Sequence, residues 1–145
     1  MYKHILIPTD GSPLSEVAIK QGLQLAKTVN AKVTVLTTVP PFHVVAVEPT
    51  MVTDTREQYD KDVMRIAERR LAFPREAARA AGVVYEEVPM IAEHAWAAIV
   101  ETAKTRGCDL IVMASHGRKG VSALVLGSET TKVLTHTPIP TLVCR

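Results

Sequence analysis

The sequence predicts an α/β fold, a single doubly wound five-stranded parallel sheet of Rossmann-like type with helices on both faces. Three observations predict it. Short apolar runs recur along the chain, amphipathic helical patterns alternate with them, and no linker, repeat or composition break divides residues 1–145.

The first run, His4-Ile5-Leu6-Ile7-Pro8, is short and apolar throughout, which suits a strand covered on both faces. Ser12 then serves as an N-cap, Pro13 fits the first helical position, and Glu16 complements the helix dipole. Leu14, Ala18, Gly22, Leu25, Ala26 and Val29 fall on one stripe of that helix. Val33-Thr34-Val35-Leu36-Thr37 is β-branched and apolar on alternate positions, a second strand. A second helix begins after about Asp54, with Tyr59, Val63, Ile66 and Ala67 on its apolar face. Pro74 interrupts that pattern before Ala77, Ala78 and Ala81, which predicts a kink or a fresh helix near Phe73. Val83 to Val88 carries Glu86 and Glu87 at its far end and suits an edge strand. A third helix runs from about Glu93 to Arg106, with Ala95, Ala98, Ile99 and Ala103 inward, and stops at Gly107. Leu110 to Ala114 is the second dry run. A short fourth helix starts near Gly127-Ser128 and ends before Pro138, and Ile139 to Cys144 closes the sheet.

Composition narrows the function. A net charge of +2, with Lys and Arg spread along the chain, lacks the basic stripe of a nucleic-acid binder. No apolar run approaches the ~20 residues that span a bilayer. The opening MYKHILIPTDG has no signal-peptide pattern, and Cys108 and Cys144 lack metal or redox spacing, so both read as buried thiols. These features predict a cytoplasmic protein.

In a doubly wound sheet, ligands sit outside the carboxyl ends of strands where the winding reverses. Two strands end conspicuously, in Pro8-Thr9-Asp10-Gly11-Ser12 and Ala114-Ser115-His116-Gly117, whereas Thr37-Thr38-Val39-Pro40 is bland. A site is therefore expected between strands one and four. No G-x-x-x-x-G-K-[ST] or G-x-G-x-x-G occurs. Gly117 lets the backbone turn and approach a ligand closely. Val121 to Leu126 returns the chain to the fourth helix, where Gly127 and Ser128 offer N–H groups at the positive end of the dipole. Ser128 and Thr130 add hydroxyls and Arg118 adds charge, while Glu129 competes with phosphate or points to solvent. Plainer readings stand beside these: Ser128 as an N-cap, His116 as a turn residue, and Asp10 as a cap working with Ser12.

These residues resemble the universal stress protein family over the whole chain: a first strand ending in Pro-x-Asp-Gly-Ser, the strand order 3-2-1-4-5, and a last strand after Pro-Ile-Pro. Nucleotide-binding members carry G-x-x-G-x9-G-[ST]. Here Ala114-Ser115-His116-Gly117 precedes Gly127-Ser128 at that spacing, with Ala114 in place of the first glycine. The resemblance implies ATP as ligand, any Mg2+ being held by the phosphates. It places Pro8, Thr9 and Asp10 on the adenosine side, with Thr38 and Val39 flanking adenine through backbone groups. Met113, Ala114, His116 and Gly117 would contact ribose and inner phosphates. Gly127, Ser128, Glu129 and Thr130 would meet the outer phosphates. It also implies a homodimer through the last strand, Pro140 to Cys144; the absence of a nucleic-acid or membrane partner is the expectation from charge and hydropathy above.

Where family members often have Asp-Pro, the third helix here opens on His94-Ala95 and then Trp96, which reads as core filler, pocket wall or interface anchor. Thr50 to Gln58 is expected to cover the adenine end. Nucleotide binding without fast chemistry is the favoured function, because the Ser-Gly-Gly-x-Asp-Ser loop of related adenylating enzymes is absent. A slow ATP hydrolase and a dimeric interaction module without nucleotide are the alternatives.

Overall fold

A computed structural model describes residues 1–41, 56–118 and 125–145. Five strands, β1 (His4–Pro8), β2 (Lys32–Val39), β3 (Tyr85–Ile91), β4 (Leu110–Ala114) and β5 (Thr141–Cys144), alternate with four helices. The helices are α1 (Pro13–Val29), α2 (Arg56–Ala81), α3 (Ala95–Thr105) and α4 (Ser128–His136). The sheet is parallel throughout, in the order β3-β2-β1-β4-β5. Because β1 and β4 are neighbours whose chains leave in opposite directions, a crevice opens between their carboxyl ends.

Strand alternation divides the core into two layers. Ile5, Ile7, Val33, Val35 and Val112 meet Ala18, Ile19 and Leu23 of α1 and Leu71 and Ala78 of α2. Leu6, Leu36, Ile111 and Met113 meet Ala98, Ile99 and Ala103 of α3 and Val133 of α4. The stripe read on α1 thus reaches the sheet. Gly22 lies on it because α1 crosses β1 and β4 closely there: a Cβ at 22 would stand 2.4 Å from Ile7 Cδ1.

One of the two alternatives at Pro74 and the bounds of the third strand differ from the sequence expectation. No fresh helix starts at Phe73: α2 continues through Pro74. Pro74 lies on the buried side with Leu71 and Ala78, at spacings that stack on one face, and this packing holds the helix despite the missing N–H. Strand β3 starts two residues later than read and runs on to Ile91. Its acidic residues do not end it, because each has a cation: Arg75 donates to Glu87 at 2.8 Å and Arg106 to Glu86 at 2.9 Å. Pro89 is tolerated because β3 is an edge.

One polar group lies deep at the opposite end of the sheet. His4 is 4% exposed, with Nδ1 3.1 Å from the Arg106 carbonyl and Nε2 2.7 Å from Thr34 Oγ1. Burial, helped by Lys32, lowers its pKa against the opposing Arg106 carbonyl, Glu86 and Asp109. A depressed folded pKa means that the unfolded chain takes up the proton more readily. The stability His4 contributes is therefore present above about pH 6.5 and is lost as the pH falls from there through its folded value. Melting temperatures between pH 7.5 and pH 5 should fall more steeply for the wild type than for His4→Gln. Parallel slopes would show that another group governs the acid limb.

Candidate functional site

The loop after β1 is built from local hydrogen bonds. Thr9 N–H continues the sheet to the Leu36 carbonyl at 2.8 Å, and its hydroxyl lies 3.0 Å from Ser15 Oγ. Gly11 turns the chain at φ 77°, a conformation that favours glycine, and Ser12 caps α1 by accepting from Ser15 N–H. Asp10 accepts from Ser12 N–H at 3.0 Å, so the capping role is present, but the carboxylate does more. Its other oxygen accepts from Arg118 N–H at 2.7 Å, across 108 positions of sequence. Burial would raise its pKa, yet hydrogen bonds from Ser12, Arg118 and Ser15 outweigh that and hold it below the usual carboxylate range.

The loop after β4 meets this one directly. A Cβ on Gly117 would lie 2.5 Å from Asp10 Oδ2, so the close approach requires glycine here. Ser115 N–H continues the sheet to the Cys144 carbonyl, and the Ser115 carbonyl accepts from Gly127 N–H at 2.7 Å. Thr130 donates its hydroxyl proton to the carbonyls of Ala114 and Ser115, 3.0 and 3.2 Å away. The start of α4 is therefore pinned against the end of β4. Ala114 sits in strand geometry opposite Cys144, so replacing the motif's first glycine introduces a methyl without backbone strain.

Between the two loops lies a hollow of about 130 Å³, lined by Pro8, Thr9, Asp10, Thr38, Met113, Ala114, His116, Gly117, Glu129 and Thr130 among the expected residues. Ser15, Leu36, Ala95 and Ile99 complete it. Three of these were legible in principle: Leu36 shares the face of Thr38, and Ala95 and Ile99 are four apart on α3. The volume is below the roughly 300 Å³ at which whole-ligand pockets begin, so the hollow suits one part of a ligand.

Four expected residues stand elsewhere or differently. Val39 is buried, and its carbonyl accepts from Ala92 N–H; the Thr38 carbonyl accepts from Arg70 at 2.9 Å. Both backbone carbonyls at this strand end are thus already engaged, though each keeps a second lone pair. Gly127 is the N-cap of α4, and its N–H is not free, being bound to Ser115. The first helical bond is Thr131 N–H to the Gly127 carbonyl, which leaves the N–H groups of exposed Ser128, of Glu129 and of Thr130 ahead of the ladder. Arg118 lines a separate cavity beside α1 and α2. Residues 119–124, and residues 50–55 of the expected cover, lie outside the described residues; Arg56 to Gln58 open α2.

Glu129 points neither to solvent nor to the hollow's mouth alone. Its carboxylate accepts from Trp96 N–H at 2.7 Å, in the first turn of α3. His94 offers α3 no side-chain cap, so α4 supplies the acceptor that Asp would supply locally. Trp96 packs on the adjoining core layer and stacks with His136 at a centroid distance of 4.4 Å, so it joins α3 to α4 and does not wall the hollow. Glu129→Ala is expected to destabilise by about 1 kcal/mol, the usual worth of a helix cap. In the same denaturant titration, Glu101→Ala on exposed α3 surface should change less than about 0.5 kcal/mol.

Among the described residues, no three His, Cys, Asp or Glu side chains gather to hold a metal, and no helix is long and apolar enough to cross a membrane.

A model of the universal stress protein family matches residues 1–145. The chain is 30% identical to the universal stress protein MJ0531 of Methanocaldococcus jannaschii over 153 aligned positions, covering all of this chain and 83% of that one. Among solved structures, the hypothetical protein MJ0577 superposes with a TM-score of 0.79 at 25% identity, over 99% of this chain and 96% of that one. A universal stress protein in complex with cAMP superposes with a TM-score of 0.70 at 25% identity, over 99% and 97%. Two loops meeting over the β1–β4 crevice, the strand order and the full-length match lead to one statement: this chain belongs to the universal stress protein family.

Proposed function

We propose that this protein binds an adenine nucleotide, ATP in the first place, across the carboxyl ends of β1 and β4 and acts through its ligand state. The observation that carries this reading is the meeting of the two loops: Asp10 and Gly117 close one side of a hollow whose other side is the first turn of α4. The nucleoside takes the hollow, where Leu36, Ile99 and Met113 are apolar and Asp10 offers an acceptor for ribose hydroxyls. The phosphates leave toward the N–H groups of Ser128, Glu129 and Thr130, ahead of the α4 ladder. Any Mg2+ is then held by the phosphates. A family member of 25% identity in complex with cAMP supports the nucleotide class.

Binding is favoured over fast turnover because the two nearby carboxylates are committed. Asp10 accepts from Ser12 and Arg118 N–H groups, and Glu129 accepts from Trp96 N–H. Asp10 stands at the ribose end of this pose, away from the outer phosphates, which leaves Glu129 as the nearest carboxylate to them, and that one is drawn toward α3. Self-association through the edge of β5 completes the proposal, since among the described residues β5 pairs with β4 alone and leaves Leu142 43% exposed.

The test is direct. Purified protein is denatured and its supernatant is chromatographed for adenine nucleotides; thermal melting and phosphate release are then followed with Mg-ATP. Released nucleotide, or a melting temperature that rises with ATP, without sustained phosphate release, supports the reading. Steady turnover would make it a hydrolase. Absence of both nucleotide and thermal shift would leave an interaction module.

A further inference from the structure

A second cavity lies on the other side of the sheet's carboxyl edge, between the loop after β1 and the middle of α2. It measures about 560 Å³, and its lining includes Gly11, Ser12, Ile66, Arg69, Arg70 and Arg118. Ile66, Arg69 and Arg70 share a helix face because they are three and four residues apart. Arg118 reaches the same space from the loop after β4, so cations from two distant segments converge.

Their charge is poorly balanced. Among the described residues, no carboxylate pairs with any of these three guanidiniums. Among the described residues Asp10 is the acid that acts on Arg70, and each of its oxygens already accepts from a backbone N–H group. Arg70 spends one nitrogen on the Thr38 carbonyl, and its Nε is buried with no partner. Burial and the adjacent Arg118 push Arg70 below its ordinary pKa, with Asp10 opposing. Like charges brought together and left unpaired are costly, and an anion between them relieves that cost.

We propose that this cavity is an anion site for a multiply charged phosphate group, bound by Arg69, Arg70 and Arg118. Planar guanidiniums match phosphate oxygens in bidentate fashion, and three of them suit a di- or triphosphate better than a monovalent anion. The cavity exceeds what a single orthophosphate fills. Two sources present this chemistry: a free polyphosphate, or the phosphate tail of a nucleotide. The assignment stands apart from the nucleotide reading, because its arginines do not line the hollow between β1 and β4.

Pyrophosphate is titrated calorimetrically into the full chain in about 150 mM salt, where exposed charges are screened beyond roughly 8 Å. Saturable binding of one ion per chain is expected, weakened about tenfold by Arg69→Gln, in line with the loss of a charge-assisted bond. Lys132→Gln on α4, an equal loss of charge elsewhere, should leave it unchanged; melting curves confirm that both variants fold. AMP affinity should not respond to Arg69→Gln. If Arg69→Gln also weakens ATP, the tail of the nucleotide occupies the cavity; if pyrophosphate binds equally well beside saturating ATP, the anion is a separate ligand. No binding by the wild type, unaltered binding by Arg69→Gln, or equal loss in Lys132→Gln would each overturn the assignment.

Discussion

Gly117→Val is expected to reduce ATP affinity at least a hundredfold. The added Cβ alone would stand 2.5 Å from Asp10 Oδ2, well inside contact distance. That carboxylate cannot simply swing aside, because its oxygens accept from Ser12 N–H on one loop and Arg118 N–H on the other. The valine must therefore part the loops or break a charge-assisted hydrogen bond, which costs about 1.5–3 kcal/mol. Parting them widens the hollow and shifts the ribose acceptor, and small displacements of positioning groups have large effects on binding and reactivity. The melting temperature should also drop by several degrees. Fluorescence or calorimetric titration with ATP measures the first effect and calorimetric melting the second. A Gly117→Val chain with wild-type affinity would show that the ligand does not lie beneath this loop.

The largest stability effect is expected at Gly22, and its partner can be named in advance. Glycine inside a helix ordinarily costs about 1 kcal/mol relative to alanine, so Gly22→Ala on an open face would stabilise. Here the new Cβ would approach Ile7 Cδ1 to 2.4 Å and Val112 Cγ1 to 3.4 Å, in a layer where Ile7 and Val112 are fully buried. Overpacking of this kind costs about 1–3 kcal/mol, enough to reverse the sign. Gly22→Leu should exceed that. Ile7→Val removes the clashing Cδ1 and by itself costs about 0.5–1.5 kcal/mol. The double variant Gly22→Ala/Ile7→Val should then be more stable than the sum of its single effects by about 1 kcal/mol or more, by the order of coupling seen between touching side chains. Urea unfolding of the four proteins decides it, and strict additivity would mean that α1 does not cross β1 at this point.

Much of the fold was legible because it follows from local pattern. β1 and β4 were bounded correctly since dry runs of this kind fit little but a covered parallel strand. The start of α1 was legible from Ser12 and Pro13, whose roles depend only on the next turn. Pro74 left a kink and a fresh helix both open, because what carries a single α2 through it is burial against the sheet, which the helix's own residues do not declare. In the site, residues at the ends of β1 and β4 were found because topology alone brings them together. What stayed hidden depends on pairs far apart in the chain: Gly127 N–H on Ser115, Glu129 on Trp96, and Arg118 turned toward α2. Arg70 was missed because the reading of α2 followed only its apolar stripe.

The bond from Glu129 to Trp96 has a practical consequence. This chain has one tryptophan, so its intrinsic emission comes from a single indole, seated on His136 and tethered at its backbone to the turn proposed to receive phosphates. Any guest that presses on that turn alters the surroundings of the only strong fluorophore, and the native, unlabelled molecule thus carries its own optical gauge of occupancy.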